Sequence, residues 1–353
     1  MKMQINGIQQ LGVGVTDIEA AFAWYRKHFG MDIKMFEDAA MAELMLPHTE
    51  NQPRSRHAIL ALNMQGGGGF EIWQHTGREP HHASFELQLG DHGIFIGKLK
   101  TSDVTKAYGY CQQLGLKLYG TISKNPSGTE HFFVSDIYNN IWEIIQTGPP
   151  VFKTSSITGG VYGVVIGVKD ADKSMVVYRD LLGFDLVEYD IVDSFNDLKD
   201  LPGGINACRR ILLKHSRKVN GAFSPVLGPS CIELVQTIYY TGKDIYEGRI
   251  WGDPGFIHLC YDINGMDDLR ERANALGFPF TVDSSIVNNT FDMGEAAGSF
   301  AYIQSHEGTL IEFVETHKIP LIKKIGWYLN FDNHKIKPLP RWVFRLFGVM
   351  RVK

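Results

Sequence analysis

The 353-residue chain is 44% hydrophobic, 12% aromatic and 21% charged, which excludes a disordered or collagen-like protein and predicts two domains at roughly 150 residues each. Its net charge of −4 argues against a nucleic-acid partner but conceals a basic end, in which nine Lys and Arg from Lys318 onward face one acid, Asp332. No apolar run approaches the ~20 residues of a membrane span, the start MKMQINGIQQLG lacks a secretion signal's apolar segment, and four scattered cysteines form no CxxC pair, so the expected setting is the cytoplasm with reduced thiols.

In chain order, the apolar segment IQQLGVGV reads as a strand and VTDIEAAFAWYRKHFG as the helix after it. Thr16 and Glu19 are expected to form a capping box, Ala21, Phe22 and Tyr25 the buried stripe, and Gly30 the left-handed stop. MDIKMF, HAILALNM and FEIWQ follow as short strands, with a loop insertion from Pro47 to Ser55. The run Gly66 to Gly69 reads as a flexible strand connection, and His75, His81 and His82 as part of an exposed polar linker. A second unit starts at Gly93 with IFIGKLKT. The third, VYGVVIGV then VKDADKSMVVYRDLLGFD, repeats the first helix segment at an offset of 153 residues, with Val15, Asp17, Tyr25, Arg26, Gly30 and Asp32 recurring as Val168, Asp170, Tyr178, Arg179, Gly183 and Asp185. Its strands DLVEYDI, RRILLKH and CIELVQT surround an insertion from Val192 to Ile205, and a fourth unit from Gly255 matches the second at an offset of 162. The chain is therefore α+β, four βαβββ modules: one and two in residues 1–150, three and four in 155–316, then a basic aromatic tail, 317–353.

Each module closes on a glutamate between large apolar residues: Phe70-Glu71-Ile72, Trp142-Glu143-Ile144, Ile232-Glu233-Leu234 and Ile311-Glu312-Phe313. Strand alternation puts each Glu on the face opposite its neighbours, and four such addresses point to a shared concave face. Seven residues before Asp17 and its counterparts, the first strands carry Gln10, Ile96, Gly163 and His258, of which only Gln10 and His258 can bind a metal. Gln10, Glu71, His258 and Glu312 make an N/O shell suited to one divalent ion, and the residues do not distinguish Zn, Ni, Mn, Co or Fe. Trp73, Tyr108, Trp142, Tyr162 and Tyr261 line either concave faces or core.

At these residues the sequence resembles the vicinal oxygen chelate superfamily of glyoxalases, bleomycin-resistance proteins and extradiol dioxygenases, over about residues 5 to 316. The resemblance implies modules that pair into cupped mixed sheets, with the glyoxalase shell falling on Gln10, Glu71, His258 and Glu312. That shell requires module one to face module four, leaving a second, metal-poor cup of modules two and three with Glu143 and Glu233. The alternative pairing, one with two and three with four, would move the shell to Glu233, His258 and Glu312. The implied activity is a metal-dependent isomerase, epimerase or lyase acting on a small oxygenated substrate through an enolate or enediolate, with Glu312 as base and Glu71 next. An iron dioxygenase needs a second His where Gly163 stands, and a bleomycin-resistance-type cup would bind a small molecule without chemistry. The tail, with Arg341, Arg345 and Arg351 among Trp342, Phe344 and Phe347, is expected to dock on the chain or on a second copy; the alternative for residues 338–353 is an anionic membrane surface.

Overall fold

The computed structural model describes residues 3–286, 291–292, 297–322, 327–330 and 337–352. The tail charges Lys323, Lys324, Asp332, Lys335 and Lys353 lie outside the described residues. Module one comprises β1 (Gln4–Gly14), α1 (Ile18–Phe29), β2 (Ile33–Ala42), β3 (Arg54–Leu62) and β4 (Gly69–His75). Module two comprises β5 (Gly93–Thr101), α2 (Val104–Gln113), β6 (Leu118–Lys124), β7 (Glu130–Ser135) and β8 (Ile141–Gln146). In module three β9 (Val161–Gly167), α3 (Ala171–Met175), β10 (Leu186–Asp193), β11 (Cys208–Lys214), the single turn α4 (Ser224–Leu227) and β12 (Cys231–Thr237) follow the same grammar. Module four has β13 (Gly255–Asn264), α5 (Met266–Ala275), β14 (Val282–Asp283), β15 (Phe291–Asp292), β16 (Ala297–Gln304) and β17 (Leu310–Ile322). Beyond it lie β18 (Trp327–Asn330) and α6 (Arg341–Leu346). Among the described residues no helix is long and apolar enough to cross a membrane.

The sheets pair the modules one with four and two with three. One sheet runs β14-β16-β17-β13-β1-β4-β3-β2, and the other β10-β11-β12-β9-β5-β8-β7-β6. In each, the two first strands meet antiparallel at the centre (β1 with β13, β5 with β9), and each first strand pairs in parallel with the last strand of its own module. This connection folds one module's glutamate strand beside its first strand and brings a second such pair alongside. Convex faces and helices share a core in which Phe70 stacks on Trp142 at 4.6 Å.

Three local expectations are corrected. The cap of α1 is Asp17, whose Oδ1 accepts the Ala20 N–H at 3.0 Å, and not a Thr16–Glu19 box; a carboxylate one residue later meets the free N–H groups and the helix dipole together. Asp103 and Asp170 cap their helices alike. The glycine run is a close backbone approach where the sheets touch: Gly68 N–H donates to Val161 C=O at 2.9 Å, and a Cβ on Gly67 would lie 2.7 Å from the Gly160 carbonyl carbon. His75 belongs to the buried end of β4, where burial pulls its imidazole down to about 4.

The repeated tyrosines have a task that the repeat did not disclose. Tyr25, on α1 of module one, donates to Asp136 Oδ2 at 2.7 Å in the β7–β8 turn of the other cup. Tyr178, following α3 of module three, donates to Glu307 in the β16–β17 turn. Each half of the repeat thus staples one cup to the other. The tail packs Val343, Phe344 and Phe347 against Ile33 and Ile319, and Arg351 lies 3.2 Å from Asp32.

Candidate metal centre and its twin

In the cup of modules one and four, β4 turns Phe70 and Ile72 into the common core and Glu71 into the concavity, and β17 does the same with Ile311, Phe313 and Glu312. His258 on β13 lies opposite Gly12 on β1, and a Cβ on residue 12 would come within 2.5 Å of the imidazole, so the glycine makes the ring's position possible. His258 Nε2 is 3.1 Å from Glu312 Oε2 and 3.2 Å from Glu71 Oε2. Gln10 Nε2 lies 3.3 Å from Glu71 Oε2 and 3.4 Å from Glu312 Oε2. The four expected ligands therefore converge. Three of them, Glu71, His258 and Glu312, present donor atoms within 4.8 Å of one another.

The chemistry of this donor set fits a divalent cation. His258 Nε2 and Gln10 Nε2 both approach the Oε2 atoms of Glu71 and Glu312, so donor atoms of all four side chains meet at one point, and Gln10 Oε1 has no hydrogen-bond partner among the described residues. Turning the Gln10 amide about χ3 would bring its oxygen to that point. Burial would lower the His258 pKa, but the charges of Glu312 and Glu71 outweigh it and hold the imidazole at about 9, a measure of the negative potential in the cup. The walls are apolar: Trp251 stacks near His258 at 6.5 Å, Tyr302 meets it edge-on at 5.6 Å, and Met45 covers the cup from the turn Glu43–His48. The indole N–H groups of Trp73 and Trp251 are buried without acceptors among the described residues. Trp73 thus lines this cup and Tyr162 the other, whereas Trp142 and Tyr261 are core and Tyr108 packs on its margin.

In the cup of modules two and three, Glu143 and Glu233 occupy the same addresses, and Glu233 is thereby separated from His258 and Glu312. Here the cation is built in. Lys98 Nζ donates to Glu143 Oε2 at 2.5 Å and Glu233 Oε2 at 2.6 Å, with its side chain 1% exposed. Lys98 pairs with Gly163 across the central strands, just as Gly12 pairs with His258. Both large residues come from equivalent strands, the imidazole from β13 and the ammonium from β5, but two positions apart: His258 answers to Ile96, and Lys98 to Cys260. Arg210 donates to Glu233 Oε1 at 2.7 Å and to Asp197, and His131 Nδ1 lies 2.8 Å from Glu143 Oε1. Burial would raise the Glu143 pKa, yet Lys98 and His131 hold it at about 2; Arg210 and Lys98 likewise keep Glu233 below the usual range against its burial. The sequence reading missed Lys98; its signal was a lysine two residues beyond Ile96, after a strand start with no charged residue, Gly93 to Gly97, and opposite a glycine. The insertion of module three fills one end of this cup with Leu198 and Leu201.

Residues 7–144 match the family described as Glyoxalase/Bleomycin resistance protein/Dioxygenase superfamily. No curated protein matches the chain. Among solved structures, a variant of glyoxalase I from Zea mays aligns with a TM-score of 0.56 at 13% identity, over 89% of this chain and 92% of that one. Unmodified Zea mays glyoxalase I gives 0.53 at 13% over 89% and 92%. A candidate dioxygenase from Bacillus subtilis gives 0.57 at 12% over 89% and 86%. At such identities the likeness carries the two-cup fold alone.

Proposed function

We propose that the chain, whose residues 7–144 match the Glyoxalase/Bleomycin resistance protein/Dioxygenase superfamily and whose fold has two cups, is a metal-dependent isomerase, epimerase or lyase of that superfamily with one working centre, at Gln10, Glu71, His258 and Glu312. One observation carries this reading: two homologous pairs of glutamates face two cups, one pair is neutralised by Lys98, and the other has, among the described residues, no lysine or arginine on it and is met by the imidazole of His258 and the amide of Gln10 instead. A bound divalent ion would polarise a substrate carbonyl and lower the cost of negative charge on its oxygen.

The residues of the chain do the rest. Trp251, Tyr302 and Met45 exclude water and offer an apolar wall to a small substrate. Burial, with the charges of Glu312 and Glu71, pushes the Tyr302 phenol well above its usual range, so it stays protonated and can donate to a substrate oxygen. One carboxylate moves the proton at the carbon beside the carbonyl. The sequence ranks Glu312 before Glu71, whereas side-chain exposures of 15% for Glu71 and 9% for Glu312 support the reverse order, because the freer carboxylate can swing between ion and substrate.

Elemental analysis of the purified protein is expected to find close to one divalent ion per chain, and His258→Ala to remove it. Glu71→Gln and Glu312→Gln, assayed for deuterium exchange on small 2-oxo and 2-hydroxy compounds, identify the base as the variant that keeps metal but loses exchange. A full complement of metal in His258→Ala, or none in the wild type under several metal supplies, would overturn the centre. Oxygen uptake without exchange would replace the isomerase or lyase by an oxygenase.

A further inference from the structure

A cavity of about 630 Å³ opens in the second cup, beside the Lys98 network and at the end away from the insertion. That volume falls within the range of small-molecule sites, roughly 300–1,000 Å³. Among the described residues its lining includes Lys98, Lys100, Lys214, Lys218 and Arg341, and not one Asp or Glu. Lys98 is neutralised by Glu143 and Glu233, and the rest of that buried network balances itself, Arg210 and His131 against Asp197 and the same two glutamates. It therefore offers no spare negative charge to the cavity.

Lys100 is the informative residue. Two positions along β5 from Lys98, it points to the same side of the strand; its contacts are the Leu227 carbonyl at 3.3 Å and the face of Tyr162 at 5.8 Å, with no carboxylate partner among the described residues. A desolvated ammonium without a counter-charge is costly, and burial pulls its pKa down to about 8. Lys214 enters from β11, 3.3 Å from Glu188, and Arg341 of α6 is fixed at the rim by donating to the Val151 carbonyl. The hydroxyls of Ser127 and Thr129 and the apolar groups of Tyr162 and Leu212 line the same cavity.

We propose that the second cup is a binding site for a small organic anion, a phosphate or carboxylate on a compact apolar body, with its head at Lys100 and Lys214 and its body against Tyr162 and Leu212. The anion supplies the charge that Lys100 lacks, and the hydroxyls of Ser127 and Thr129 complete the head-group contacts. The site is independent of the metal centre in the first cup.

Isothermal titration with phenyl phosphate, benzoate and the neutral benzyl alcohol tests this on the full chain. Phenyl phosphate or benzoate is expected to bind with an affinity that falls as salt rises, and benzyl alcohol is not. Whichever anion binds more tightly identifies the head group. Lys100→Gln should weaken that binding roughly ten- to hundredfold, the loss of one charged hydrogen bond, while circular dichroism and metal content stay unchanged. If Lys100→Gln fails to fold, the double variant Lys214→Gln/Lys218→Gln, at partly exposed rim positions, should weaken binding in the same direction. No binding by either anion at millimolar concentration, equal binding of the alcohol, or unchanged affinity in the folded variants would overturn the proposal.

Discussion

The two cups share a strand order, a register and a pair of inward glutamates, yet one presents open donors and the other a finished ion pair. The difference lies at two neighbouring addresses on the central strands: where the first cup has Gln10 opposite Cys260 the second has Gly163 opposite Lys98, and where the first has His258 the second has Ile96. Two buried carboxylates facing each other demand a cation, because neither can be ionised alone in a low dielectric at modest cost. A covalently attached ammonium meets that demand permanently and gives up chemistry, whereas an imidazole and an amide leave the demand open for an ion with free coordination positions.

The sharpest way to break this comparison is to remove the built-in cation. Lys98→Met leaves Glu143 and Glu233 buried together with Arg210 and His131 as remaining counter-charges, and should cost about 3–5 kcal/mol of stability in denaturant unfolding. If the ammonium stands in for a metal, millimolar divalent ion should recover part of that loss in Lys98→Met and add nothing in the wild type beyond what an ion in the first cup would contribute. A variant as stable as the wild type would mean that Arg210 and His131 suffice and that Lys98 is not the substitute.

A second prediction uses pH. Burial would lower the His131 pKa, but Glu143 and Asp197 outweigh it and hold the imidazole at about 9. A folded-state pKa above the unfolded value of about 6.5 adds stability that is fully present below pH ~6.5 and is lost as pH rises toward about 9, on the order of 3 kcal/mol. Lys100, pulled down to about 8 by burial, acts in the opposite sense, its destabilising charge being relieved above that pH. The difference between wild type and His131→Gln isolates the first effect: it should shrink steadily from pH 6 to 9 in urea unfolding. A constant difference would show that His131 is neutral in the second cup.

The fold and the first cup were legible in the sequence for a physical reason. Strand alternation fixes which side a residue faces, so Glu71 and Glu312 could be placed inward from their apolar neighbours alone, and the repeat supplied equivalent positions for Gln10 and His258. Lys98 was hidden by the same rule. Alternation puts it on the glutamate face but does not say whether a long ammonium turns toward water or inward, and a solvated lysine satisfies the pattern equally. The staples were hidden because Tyr25 and Tyr178 satisfy the helical apolar stripe as core residues; their hydroxyl partners, Asp136 and Glu307, lie 111 and 129 residues further along, where no local pattern reaches. The cap at Asp17 was missed because Thr16 and Glu19 have the spacing of a capping box one residue early.

The smallest effects expected concern those staples, and they separate the two halves of the repeat. In the Tyr25 staple, Asp136 also accepts from Trp142 Nε1 at 3.0 Å, Asn140 Nδ2 at 2.9 Å and the backbone N–H groups of Tyr138 and Asn140. Tyr25→Phe therefore leaves a carboxylate that keeps four donors, and should cost about 1 kcal/mol. Glu307, by contrast, is held by Tyr178 and by the hydroxyls of Ser174 at 2.8 Å and Ser305 at 2.6 Å. Tyr178→Phe takes away one of three hydroxyl donors from a buried carboxylate, so its cost should be nearer 2 kcal/mol. The sites share no partner, so the double variant should lose about the sum. Urea unfolding of the three variants decides it: equal losses, or a larger one for Tyr25→Phe, would mean that the count of remaining donors does not set the strength of the contact between cups.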